Sequence, residues 1–96
     1  MFFVKLTYVK PVGEVDEHLE AHREFLKKYF ESGNFVLAGR QVPRVGGVMI
    51  GVAESADRMW EIVKEDPFFR AGVAEYEVTE FGATMFADGL EALAGK

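Results

Sequence analysis

The chain contains no cysteine. Disulfides, thiolate nucleophiles and cysteine-ligated metals are therefore excluded, and a reducing, cytoplasmic setting is the expectation. Basic residues are also in deficit, with 11 Lys and Arg against 16 Asp and Glu and a net charge of −5. Phosphate backbones need a basic stripe, so no nucleic-acid partner is expected. No apolar run approaches the roughly 18 residues of a membrane span, which argues against a membrane partner. The opening Met-Phe-Phe-Val-Lys lacks the basic-then-apolar layout of a signal peptide, and none is expected. Gly46-Gly47 has no following lysine and helix to make a phosphate cradle, and no serine sits in a nucleophile-elbow context. There is no internal repeat or low-complexity tract.

What is present is a globular composition, 49% hydrophobic and 28% charged, with nine phenylalanines in 96 residues. That length makes one domain. So short a chain buries only about 60–65% of its unfolded surface, and such domains often gain stability by pairing. A homodimer or higher homo-oligomer is the expectation.

Alternation predicts a first strand over Phe2–Lys10, with Phe2, Val4, Leu6 and Tyr8 on one face. Pro11 and Gly13 close it. Val15, Leu19, His22, Leu26 and Tyr29 follow a 4, 3, 4, 3 spacing, which predicts one helix over Glu14–Ser32 ending at Gly33. Asn34–Val42 and Gly47–Ala53 read as a hairpin, with Phe35, Leu37 and Gly39 sharing one face of its first strand. Gly51 weakens its strand and implies close approach of another group. Ser55 caps a second helix that ends before Pro67. Val73–Phe81 reads as a fourth strand and Ala87–Ala94 as a short helix in an extension beyond residue 82. The order β-α-β-β-α-β is that of an α+β, ferredoxin-like sandwich. Its helix-free sheet face, drawn from Phe3, Thr7, Val36, Ala38, Met49 and Gly51, is too apolar to stay wet, and two sheets are expected to meet there.

Two residues stand out chemically. His22 interrupts the apolar stripe of the long helix, so its ring faces the core or a cleft. Asp66 precedes Pro67, which pushes it out of the α region and into the N-cap position of a turn that ends at Gly72. Read blandly, these are a satisfied core histidine and a helix cap. A capping carboxylate nonetheless has lone pairs to spare, and if it also orients an imidazole the two form a general acid–base pair.

Tyr8 and Arg40, at the ends of the first two strands, could donate a hydrogen bond to a substrate and clamp its carboxylate. Phe68 and Phe69 are most economically core residues, with Phe68 also expected to line the substrate site. His18, four residues before His22, has the spacing of a two-histidine metal site but no distinctive third ligand, so it is expected to be an exposed helix residue with no metal. Arg23, Lys27 and Lys28 read as the wet side of the long helix.

Three segments together resemble the YciI-like (YCII-related) family of small dimeric α+β barrel proteins: His22-Arg23-Glu24-Phe25-Leu26, Gly33-Asn34-Phe35-Val36-Leu37-Ala38-Gly39 and Glu65-Asp66-Pro67-Phe68-Phe69-Arg70-Ala71-Gly72. The resemblance implies that His22 and Asp66 are the active-site pair. It further implies elimination or isomerisation on a small, often ring-derived acid. No cofactor is expected. Arg40 follows Gly39 where relatives often carry proline, which alters the expected rim of the pocket. The alternative function is a non-catalytic, small-ligand-binding or accessory dimer.

Overall fold

A computed structural model describes residues 1–96. Four strands, β1 (Phe2–Tyr8), β2 (Phe35–Arg40), β3 (Gly46–Gly51) and β4 (Ala74–Glu80), form one antiparallel sheet in the order β2-β3-β1-β4. Four helices, α1 (Val12–Asp16), α2 (Leu19–Glu31), α3 (Ala56–Val63) and α4 (Pro67–Arg70), complete an α+β, ferredoxin-like arrangement. β1 and β3 are the inner strands, and β1 alternates cleanly: Phe2, Val4 and Leu6 are buried while Phe3 and Thr7 are exposed. Phe2, Phe35 and Phe68 are almost wholly buried in one core with Val4, Val15 and Ile62. Each such side chain contributes about 1.5–3 kcal/mol relative to exposure.

The first helix is not continuous. α1 ends at Asp16, and α2 starts after His18, which sits at its N-cap with φ −110° and ψ 4°. The apolar spacing runs unbroken through this joint, so periodicity is blind to it. His18 is consequently a half-buried junction residue, not an exposed one within a helix.

A second difference lies in β2. A register shift between Phe35 and Leu37 pairs Phe35 with Gly51 but Leu37 with Ile50. One extra residue at a bulge reverses which side chains face the core from there on. Ala38 thus lies opposite the buried Met49 and packs on the core, while Leu37 is 63% exposed. Arg40, two residues on, shares the face of Ala38.

The open sheet face is corrected accordingly. Met49 and Gly51 are buried, and Phe3, Leu37 and Ile50 form the apolar row across that face, beside Lys5, Thr7, Glu77 and Thr79. Gly51 does permit close approach: a Cβ there would lie 2.7 Å from the Met59 methyl and 3.0 Å from the Asn34 carbonyl oxygen. The residues beyond 82 contain only a 3-10 turn at Glu91–Leu93, not a helix over Ala87–Ala94. Gly89 within that span has φ +97°, outside the helical region. No helix is long and apolar enough to cross a membrane.

Candidate active site

Asp66 is placed by its neighbours in sequence. α3 begins where Ser55 accepts a hydrogen bond from the Arg58 amide at 3.1 Å, and it runs out just before residue 66. Asp66 is extended, with φ −62° and ψ 125°, as the following proline requires. Its Oδ1 accepts from the Phe68 amide at 3.0 Å, capping α4. Gly72, at φ +68°, takes the left-handed position that ends the turn.

The cap is only one of three roles for this carboxylate, which is 0% exposed. Oδ1 also lies 2.8 Å from Nδ1 of His22, and Oδ2 accepts from the Tyr76 hydroxyl at 2.5 Å. A buried carboxylate is costly unless its lone pairs are filled, and here all its partners come from three different elements. Burial first, then the charge of Asp66, raises the Tyr76 hydroxyl far above the usual phenol range. It therefore stays a donor at any physiological pH.

His22 is 9% exposed and stacks on Phe68, with ring centroids 4.1 Å apart and planes 10° from parallel. Held by Asp66 on one side and Phe68 on its face, the ring has one orientation. A carboxylate at Asp66 can only accept, which assigns the Nδ1 proton to that contact and leaves Nε2 without a hydrogen-bond partner in the chain. His22 lines a cavity of about 190 Å³, as do Tyr8, Arg40 and Phe68. Tyr8 sits edge-on to Phe68 at 6.1 Å, with the Arg44 guanidinium 5.5 Å from its ring centre.

The structure thus gathers Tyr8, His22, Arg40 and Phe68 around one space. Asp66 stands behind His22, outside the lining, and reaches any ligand only through the imidazole. Sequence reasoning missed Tyr76 as Asp66's third partner. Its position on the core face of β4, opposite Leu6, was the available signal, because a hydroxyl buried there must find an acceptor. Arg23 is exposed, as expected for the wet side of α2, and it also borders the cavity, which sequence reasoning did not anticipate.

Next to Asp66, in the turn between α3 and α4, is a second acid. Glu65 accepts from Lys28 Nζ at 2.9 Å and from the Tyr29 hydroxyl. These two hydrogen bonds, Tyr29's first, hold its carboxyl below the usual range. No group of three or more His, Asp or Glu side chains is arranged to hold a metal ion.

Comparison with curated proteins finds no match. Among solved structures, the fold is similar to that of the 5-chloro-2-hydroxyhydroquinone dehydrochlorinase TftG from Burkholderia phenoliruptrix AC1100, solved in complex with 2,5-dihydroxybenzoquinone. The TM-score is 0.70 at 22% sequence identity, over 84% of this chain and 93% of that one. At that identity the likeness establishes shared architecture. The sequence itself carries the assignment further: residues 1–82 match the YCII-related domain, so the chain belongs to the YCII-related family.

Proposed function

We propose that the protein is a small, cofactor-independent enzyme in which His22 moves a proton on a small organic acid. The observation that carries this reading is the 2.8 Å contact between His22 Nδ1 and a fully buried Asp66, on a ring that lines a cavity. Asp66 fixes the tautomer and stabilises the imidazolium that forms. The Nε2 lone pair accepts a proton from the substrate, and the bonding electrons left behind shift within the substrate. In an isomerisation the imidazolium returns that proton to another atom. In an elimination a leaving group departs with its electron pair. A positioned acid–base group contributes roughly 10²–10⁴-fold, which suits lyase or isomerase chemistry. Tyr8, Arg40 and Phe68 would bind the substrate beside it. Membership of the YCII-related family and the likeness to a dehydrochlorinase are consistent with this class of reaction.

The test is to offer ring-derived acids and 2,5-dihydroxybenzoquinone in deuterated water, following conversion and carbon-bound deuterium by NMR. The reading expects turnover or exchange that falls 10²–10⁴-fold in His22→Asn. Binding in the cavity with no chemistry, and with equal affinity in His22→Asn, would favour the non-catalytic reading.

We further infer that two copies pack sheet to sheet across the row of Phe3, Leu37 and Ile50. Leu37→Lys with Ile50→Lys should convert a dimer to a monomer in light scattering. A mass unchanged from that of the unaltered protein would remove this interface.

A further inference from the structure

The cavity wall has a charge pattern opposite to that of the whole chain. Net charge is −5, yet no carboxylate lines the cavity, and Arg23 and Arg40 are its only formally charged lining residues. Arg23 comes from α2, one residue after His22, and Arg40 from the last position of β2. Neither makes an ion pair or a side-chain hydrogen bond within the chain, whereas Lys28, Arg44 and Arg58 each have a carboxylate partner. The acid that both arginines act on, Asp16, is already bound by Arg44 at 2.6 Å. Arg23 and Arg40 thus border the cavity without a carboxylate partner of their own. Apart from His22, Tyr8 and glycines, the rest of the lining is apolar, including Leu6, Leu19, Leu26 and Met49.

From this pattern we propose that Arg23 and Arg40 together clamp the anionic head of a small amphipathic acid whose apolar body lies among the leucines. The clamp rests on the acid–base reading above for its purpose, and it adds the recognition element: charge is required at one end of the ligand and excluded from the other. Guanidiniums suit this task because they stay charged and match the planar geometry of a carboxylate. The volume of about 190 Å³ corresponds to roughly six water molecules at ~30 Å³ each, below the range of drug-sized pockets. A single ring or short branched chain with one carboxylate is the class that fits.

Benzoate and benzamide make the test, because they share shape and differ in charge. Titrations followed by NMR at constant ionic strength would monitor the His22 ring and the arginine Nε–H signals. The clamp predicts saturable benzoate binding at these groups, with benzamide at least about tenfold weaker. Arg23→Gln and Arg40→Gln should each weaken benzoate about tenfold, the value of one charge-assisted hydrogen bond. Arg58→Gln, outside the cavity, should change nothing. Equal binding of the two probes, or unchanged benzoate affinity in Arg23→Gln, overturns the clamp. The two ideas fail separately. Arginine-dependent benzoate binding in a protein with no His22-dependent chemistry upholds the clamp and removes the acid–base reading. His22-dependent chemistry with benzoate indifferent to both arginines does the reverse.

Discussion

Glu65 and Asp66 are adjacent acids, and both reach across to α2, yet they do different work. Glu65 holds Lys28 and Tyr29 at the rim, with a third of its side chain exposed. Asp66 holds His22 and Tyr76 with nothing exposed. Water competes for the first set of contacts and not for the second. The lesson is that a single peptide step across the protein boundary separates a latch from an orienting group. Proline makes that step abrupt, because it turns Asp66 inward while Glu65 stays out.

Breaking the comparison at Asp66 should have the largest effect. Asp66→Ala removes the cap of α4 and strands the Tyr76 hydroxyl and one imidazole nitrogen in the interior. That should cost about 2–4 kcal/mol, lowering the thermal midpoint by at least about 10 °C. Asp66→Asn sharpens the point, because asparagine caps nearly as well but carries no charge to stabilise an imidazolium. Turnover in that variant should fall roughly 10²–10⁴-fold while circular dichroism shows a folded protein.

Tyr76→Phe comes next. It removes one donor to Asp66 without opening a hole, so about 1–2 kcal/mol should be lost in urea titrations. Glu65→Gln should be the mildest, at about 0.2–1 kcal/mol, because its ion pair with Lys28 is exposed. Its signature lies instead in pH dependence. The folded-state pKa of Glu65 lies below its unfolded value, so its contribution is present above the ordinary value of 4.5 and is lost as pH falls through the folded pKa. Stability of Glu65→Gln should therefore decline less steeply than wild type below about pH 4.5. An equal slope would show that Tyr29 and Lys28 do not favour the ionised form.

Much of this was readable in the residues, and the failures have physical causes. Asp66-Pro67 specifies its own geometry through neighbours one and two positions away, and Val4 or Leu6 through simple alternation. Local rules of that kind survive folding. The bulge after Phe35 is different: it is set by pairing with β3, so Ala38 and Leu37 exchanged faces without any mark in β2. The break at His18 was hidden because burial of Val15 and Leu19 satisfies the helical spacing on both sides of it. Partners of Asp66 were half legible. His22 interrupted an apolar stripe, whereas Tyr76 sat in a strand where tyrosine is ordinary.

The most direct measurement is the tautomer of His22, from the two imidazole ¹⁵N shifts in a long-range proton–nitrogen correlation spectrum of the neutral ring. The account predicts a proton on Nδ1, shared toward Asp66, and a bare Nε2 whose shift moves when benzoate enters the cavity. A proton on Nε2 with Nδ1 bare, unaffected by any ligand, would contradict it.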